Sequence, residues 1–313
     1  MTVVVLGSAN LDLVYEVDRI PAPGETVLSR GFASFPGGKG NNQAIAAARA
    51  GGDVRFVVAL GRDAAGDRLA EQARASGITL HDRRVDAPTG SAVIFVDQRA
   101  ENSIVVNSGA NAALTDLTAS ELGEIAAADL LVLQLETPAA TVESAIRAAR
   151  AASTTVLLNA APSGAVPVEL LGATDILVVN EHEAAELAGE VAGTGELSLL
   201  SVLTGHGCAV IITLGADGAL VGVPGAPPVR VPAFKVDALD TTGAGDTFVG
   251  AFAAAYDGAS RDATVVDLSS LVAATEFATA AAAIAVQRKG AVPSIPTLEE
   301  VQSLLERRSR AAH

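Results

Sequence analysis

Short runs of aliphatic and β-branched residues alternate with alanine-rich stretches along most of this chain, and that rhythm limits the folds open to it. The runs Val3–Leu6, Val54–Leu60, Leu130–Leu135, Thr155–Asn159, Asp175–Val179 and Ala209–Leu214 are apolar nearly throughout. Strands read this way when both faces of their sheet are covered. Helical patterns fall between them, at Asn41–Ala50, Ala65–Ser76, Pro138–Ala151, Glu181–Ala188 and Ala244–Ala255. Strand and helix in alternation predict an α/β fold. Its core is a doubly wound, mostly parallel central sheet flanked by helices, with right-handed crossovers.

Two regions break the rhythm. Asp12–Pro36 holds Leu13–Val17, a Pro-Gly stretch and Gly31–Phe35, while Gly90–Ser108 reads as strands Ser91–Val96 and Ser103–Asn107 around a polar turn. Both are β-ribbons without partner helices. Paired, they make a small β-sheet lid that excludes water from a site, or a surface that dimerises; edge hairpins without a role are the alternative. With 313 residues, 50% of them hydrophobic, the chain is read as one core domain over 1–313 with lid strands inserted at about 12–36 and 90–108.

A formal charge of -15 without a Lys/Arg block argues against a nucleic-acid partner, since neutralising a phosphate backbone needs a basic patch. Small polyanions remain possible ligands where helix N-termini, single cations or a metal give local positive potential. The one cysteine, Cys208, excludes an intrachain disulfide and opens an apolar run, which predicts a buried thiol. Met1–Gly7 reads as a first strand, not as a signal peptide. The apolar stretch Phe277–Val286 is far short of the ~20 residues of a membrane span. A cytoplasmic protein without a membrane partner is expected.

The strongest local signal is Asp240-Thr241-Thr242-Gly243-Ala244-Gly245-Asp246, opening the apolar helix Ala244–Ala255. Asp246 there either complements the helix dipole, worth about 0.3–1 kcal/mol, or serves as a general base beside a bound phosphoryl group. Glycines cost about 1 kcal/mol each against alanine in a helix, so Gly243 and Gly245 in an alanine-rich chain favour backbone exposed to an anion. Pro36-Gly37-Gly38-Lys39-Gly40-Asn41-Asn42-Gln43 is neither a P-loop nor a dinucleotide fingerprint. It is a flexible loop with one cation and two asparagine amides, suited to polyol hydroxyls or else a plain capping turn. Asn10 and Asp12 follow the first strand two residues apart, as a diol clamp or an Asx turn. Asn180 and Glu183 have the spacing of a capping box, and a carboxylate fixed there also suits a water-bound Mg²⁺. The turn after Ile211–Leu214 holds Gly215 and Gly218, where a flat nucleotide can approach the backbone. The four histidines lack metal-ligand spacing, and no Gly-x-Ser-x-Gly elbow occurs, which disfavours metal hydrolysis and acyl transfer.

In this order the motifs resemble ribokinases and the wider PfkB-type carbohydrate kinase family over essentially the whole chain. Gln134-Leu135-Glu136, Asn107–Asn111, Asn159–Pro162 and Arg288–Ala291 belong to the same set. The resemblance implies a ribokinase-like fold and transfer of the γ-phosphoryl group of MgATP to the 5-hydroxyl of ribose. By that resemblance Asn10, Asp12, Gly38, Lys39, Gly40, Asn41, Asn42 and Glu136 bind the sugar. Asp246 is the base, and Gly243, Ala244 and Gly245 form the anion hole. Asn180, Glu183, Thr213, Leu214, Gly215, Ala216, Asp217, Gly218, Gly245 and Thr279 lie on the nucleotide side, with Glu183 reaching Mg²⁺ through water. Asp240, Thr242, Ala285, Arg288, Gly290 and Ser294 match a monovalent-cation site, usually K⁺, and homodimerisation through the β-lid is implied. Two departures stand out: Thr279 replaces an expected Asn or His beside adenine, and Tyr256–Thr275 is longer than usual.

Rival readings keep the scaffold and change the ligand. A kinase of this fold acting on deoxyribose, another sugar or a nucleoside is one; a nucleobase needs a stacking wall, and Tyr15, Phe32, Phe35 and Phe95 in the lid ribbons are candidates. A non-catalytic sugar or nucleotide sensor predicts a damaged anion hole or a missing Asp246, and the sequence has neither. A dehydrogenase lacks its fingerprint.

Overall fold

A computed structural model of the protein describes residues 1–99, 101–164, 166–189, 195–256 and 266–311. In chain order its strands are β1 (Thr2–Leu6), β2 (Asn10–Glu16), β3 (Gly31–Gly37), β4 (Asp53–Gly61), β5 (Thr79–Val85), β6 (Gly90–Val96), β7 (Asn102–Asn107), β8 (Leu130–Leu133), β9 (Thr155–Asn159), β10 (Ile176–Asn180), β11 (Ala209–Thr213), β12 (Ala219–Gly222) and β13 (Val229–Val231). The helices are α1 (Lys39–Arg49), α2 (Ala64–Ala75), α3 (Ala119–Ala127), α4 (Ala139–Ala152), α5 (Val168–Leu171), α6 (Glu181–Ala188), α7 (Glu196–Thr204), α8 (Ala244–Ala255), α9 (Leu268–Ala285), α10 (Ala291–Ser294) and α11 (Leu298–Ala311).

The large sheet runs β13-β12-β11-β10-β9-β8-β1-β4-β5. Pairing is parallel from β11 through β5, and β12 and β13 close one edge antiparallel. The apolar runs follow from burial on both sides. In β1, Val3 and Val5 point into the layer holding α1, α8 and α9, while Val4 and Leu6 point into the layer of α3, α4 and α7. Cys208 is buried in the second layer, where desolvation pushes its thiol up to about 11.

The sequence rhythm missed β5, because an edge strand reading Thr-Leu-His-Asp-Arg-Arg-Val carries charge that a central strand would not. It also read Phe277–Val286 as a short apolar stretch. That stretch is the end of α9, an 18-residue helix long and apolar enough by composition to cross a bilayer. Half of it is buried against the rest of the protein, as in a core helix. Of the long segment Tyr256–Thr275, residues 257–265 lie outside the described residues.

The small sheet runs β3-β2-β6-β7. Two antiparallel ribbons are joined by a parallel seam between β2 and β6, so the two excursions from the core do form one layer. Arg68 on α2 ties it down, donating to the hydroxyl of Ser34 at 2.7 Å and to its carbonyl at 2.9 Å.

Strand register assigns each lid residue a face. Asp12 shares one with Val14, Phe35, Ile94, Ile104 and Val106; Leu13, Tyr15, Phe32, Phe95 and Val105 occupy the other.

Candidate active site

In the large sheet the chain moves outward from β1 through β4 to β5, then returns to β8 on the other side of β1. Crevices at such reversals, beyond the carboxyl ends of parallel strands, are where open α/β sheets hold ligands. Here the second residue after β1, Ser8, donates its hydroxyl to Glu136 Oε2 at 2.5 Å, just past β8. The same carboxylate oxygen accepts the Lys39 backbone N–H at 3.0 Å and so caps the start of α1. A carboxylate in that position is favoured by the unpaired N–H groups of a first helical turn.

The loop entering α1 passes against the backbone after β1. Gly38 has φ +87°, and a Cβ there would sit 2.8 Å from the Cα of Ala9. Gly40 and Asn41 belong to the same junction: Asn41 is buried and donates its backbone N–H to Ser8 O at 2.8 Å. A Cβ on Gly40 would meet Ser8 N at 2.6 Å, so the junction is tight there, while the Asn41 Nδ2 is buried without a hydrogen-bond partner among the described residues.

On β2, Asn10 and Asp12 point to one face, as their spacing predicts. Asn10 is 4% exposed, and its Oδ1 accepts from Asn111 Nδ2 at 2.8 Å, which turns its own NH₂ the other way. Asn111 is fixed in turn by the Ala9 N–H, which donates to its Oδ1 at 3.0 Å. Burial raises the Asp12 carboxyl to about 7, helped by the charges of Glu136 and Asp246. Beside Asn10 and Glu136 a cavity opens, lined also by Val106, Ser108, Thr137 and Pro138.

Asp246 lies in the first turn of α8, 8% exposed. Asn42 Nδ2 donates to its Oδ2 at 2.9 Å and Gln43 Nε2 to its Oδ1 at 3.0 Å. Burial raises its pKa, opposed by Lys39 and by those two amides. Gly243 precedes the helix at φ +72°, and α8 has no side-chain cap. The first-turn N–H groups are then an anion site by default. Ala244 is partly spent, since its N–H donates to Thr241 O at 3.2 Å. Gly243, Gly245 and Asp246 share a cavity with Lys39, Asn180, Glu183 and Thr213.

Asn180 and Glu183 form the capping box read from the sequence: Asn180 N–H donates to Glu183 Oε2 at 2.9 Å, and Glu183 N–H to Asn180 Oδ1 at 2.8 Å. Burial raises the Glu183 carboxyl despite that bond and the nearby Lys39 charge. The turn Gly215–Asp217 that follows Thr213 and Leu214 is exposed, whereas Leu214 packs into the core. Gly218 is buried and closes the turn, its carbonyl accepting from Leu214 N–H at 2.8 Å. Thr279 is buried on α9 and donates its hydroxyl back to Thr275 O at 2.7 Å, so its one O–H is already used within the helix.

Asp240 joins two turns, accepting from Thr242 N–H at 2.9 Å and Gly290 N–H at 2.8 Å. These bonds hold its carboxyl below the ordinary range against the opposing effect of burial. Arg288 pairs with Glu300, Ser294 donates to Ala291 O at 2.7 Å, and the Ala285 carbonyl accepts from Arg288 N–H at 3.0 Å. An anionic carboxylate between turns that carry backbone carbonyls suits a weakly hydrated monovalent cation.

The sequence reading gave no role to Gln43, Gln134, Asn159, Asn111 or Ser8, although each lies inside a quoted motif. Their signal is polarity within apolar surroundings. Buried amides need partners, and these find them around Asp246, Asn10 and Glu136.

The sequence profile of pfkB family carbohydrate kinases matches residues 1–298. The chain is 41% identical to a ribokinase of Haemophilus influenzae over 311 residues, 97% of this chain and 98% of that one. The structure of a Thermotoga maritima ribokinase superposes with TM-score 0.85 at 36% identity, over 97% of this chain and 99% of that one. That of Arabidopsis thaliana ribokinase complexed with ribose and ATP does so with TM-score 0.87 at 32% identity, over 97% of this chain and 98% of that one.

Proposed function

The chain belongs to the pfkB family of carbohydrate kinases, and from that premise we propose that it is an ATP-dependent ribose kinase forming ribose 5-phosphate. One observation carries the mechanism: a buried carboxylate, Asp246, stands at the uncapped start of α8 between the cavity of Lys39 and Glu183 and the residues Asn42, Asp12 and Glu136. A phosphoryl group at those first-turn N–H groups lies beside a proton acceptor. Asp246 takes the proton of the 5-hydroxyl as its oxygen forms the bond to phosphorus and the bond to the leaving ADP breaks in line. Gly243 and Gly245 let backbone N–H groups face the moving phosphoryl group, and Lys39 adds positive charge. Asn10, with its NH₂ turned away from Asn111, and Asp12 hold the sugar hydroxyls.

Mg²⁺ suits Glu183, whose Oε2 serves the cap and whose other oxygen remains for a water-bound cation; bound there it neutralises charge on the transferring phosphates. K⁺ suits the turns joined by Asp240 and supports the anion hole by its charge. Thr213 and the turn Gly215–Gly218 receive the nucleotide. The chain is read as one α/β unit whose lid also makes a homodimer, working in the cytoplasm where ATP is abundant.

A nucleoside as acceptor loses support from strand register. Tyr15 packs in tilted ring contacts with Phe32 and Phe95 at centroid distances of 4.9 and 5.9 Å on the lid face opposite Asp12, which leaves only Phe35 of the candidate wall on the sugar side.

ADP release from ATP with ribose, deoxyribose, fructose and nucleosides, with and without K⁺, tests the reading. Ribose in K⁺ is expected to give the highest kcat/KM, and Asp246→Asn is expected to lower kcat by about 10²–10⁴. Absence of ribose-dependent turnover in K⁺ rejects the substrate, and near-parental turnover by Asp246→Asn rejects the base.

A further inference from the structure

The hydrogen bonds reaching Asp246 from the sheet have a fixed direction. Asn159 Nδ2 donates to the Val178 carbonyl at 3.1 Å. A carbonyl only accepts, so Asn159 must turn its Oδ1 toward Gln43, whose Nε2 donates to it at 2.9 Å. On the other side, Gln134 Nε2 donates to Gln43 Oε1 at 2.7 Å. Flipping the Gln43 amide would set oxygen against oxygen at Asn159, whereas Gln134, whose Oε1 has no hydrogen-bond partner among the described residues, can turn to suit either orientation. Gln43 is 0% and Gln134 1% exposed, so bulk water cannot compensate, and an unmade buried hydrogen bond costs about 1–3 kcal/mol. The remaining Nε2 hydrogen of Gln43 therefore points at Asp246 Oδ1, 3.0 Å away.

The other oxygen is held differently. Oδ2 accepts from Asn42 Nδ2 at 2.9 Å, but the Asn42 Oδ1 is buried without a hydrogen-bond partner among the described residues. Nothing anchors that amide in one orientation. Rotated, it accepts from a protonated Oδ2 as readily as it now donates to a bare one.

We infer that Gln43 is a positioning residue that reserves Oδ1 of Asp246 as a permanent acceptor, so that the proton leaving the sugar hydroxyl arrives at Oδ2, where Asn42 turns to accept from it. The O–H bond breaks as the Oδ2–H bond forms; the hydroxyl oxygen keeps its electron pair for the new bond to phosphorus, and the pair of the broken P–O bond leaves with ADP. This rests on Asp246 being the base of the proposed kinase. The Gln43 bond also opposes the burial that raises Asp246, and the variants below read that opposition.

The test is the pH profile of the full-length Gln43→Leu protein, a change close in volume. Its kcat is expected to fall roughly tenfold at neutral pH and its acid limb to move up by about one pH unit, with KM for ribose within about twofold of the parent. A limb at the parental pH, with only thermal stability lowered, marks a structural role and overturns the inference. Asn159→Leu covers the case in which Gln43→Leu does not fold. It removes the anchored acceptor that fixes the Gln43 amide without altering Asp246 itself, and an upward shift of the same limb is expected; an unmoved limb there overturns the inference equally. A parent protein without ribose-dependent ADP release fails at the earlier step and rejects the function instead.

Discussion

Asp12 is ionised only against resistance. Burial, then Glu136 and Asp246, hold its carboxyl near 7 in the folded protein, against about 3.9 in an unfolded chain. The folded state thus binds more protons in that window, and its contribution to stability, full below about 4, is lost as pH rises through about 7. Asp12→Asn removes that loss. Thermal melts of parent and variant are expected to diverge between about pH 4 and 7, with the variant gaining relative stability as pH rises; parallel curves across that range would contradict the buried, mutually repelling carboxylates. The identity of such residues was legible where chemistry is local. Asn10 and Asp12 stand two apart at a strand end, and Asp246 sits between glycines and an apolar helix. Gln43, Gln134 and Asn159 were not legible as a unit, because their bonds join positions 91 and 116 apart in the chain, and an amide in an apolar run carries no local sign of its partner.

At the scale of elements, the start of α8 separates two glycines that look alike in sequence. Gly243 has a left-handed backbone, and a Cβ on it would lie 2.9 Å from the Cα and Cβ of Ala291. Gly245 is helical, and nothing stands within 4 Å of where its Cβ would be, yet it lines the cavity beside Asp246. Gly243→Ala is therefore expected to destabilise the protein by about 1–2 kcal/mol. Gly245→Ala is expected to stabilise it by up to about 1 kcal/mol, while both lower kcat by placing a methyl group in, or displacing, the turn that meets the phosphoryl group. Denaturant unfolding with assays on the same samples separates the two. A fully active Gly245→Ala would mean that the open space there is not where the phosphoryl group lies. The parallel strands were legible because burial on both faces writes a continuous apolar run. β5 was hidden by its edge position, and sequence does not show that the Thr279 hydroxyl is bonded back to Thr275 in its own helix.

Across the whole molecule, the lid is the part whose exposure calls for a partner. Phe32 is 58% and Val105 62% exposed on the face turned away from Asp12, and Ile104 and Val106 are 52% and 55% exposed on the other. β7 is also an edge strand. A bare, apolar sheet edge is a liability that folded proteins normally cover, and a second lid of the same chain is self-complementary under two-fold symmetry. The sequence indicated two ribbons but not their parallel seam, and only the seam places Tyr15, Phe32 and Phe95 together on the outer face. If that face is the dimer contact, light scattering of the parent should give twice 31.4 kDa. A Phe32→Lys, Val105→Lys double variant should give the monomer mass, because each ammonium would have to be buried unpaired. KM for ribose should rise with it, since Asp12 lies on the same four-stranded sheet and a lid without its partner loses the support that holds β2 over the sugar. A parent at monomer mass rejects the dimer; a monomeric variant with the parental KM keeps the dimer and shows that the lid holds the sugar without it.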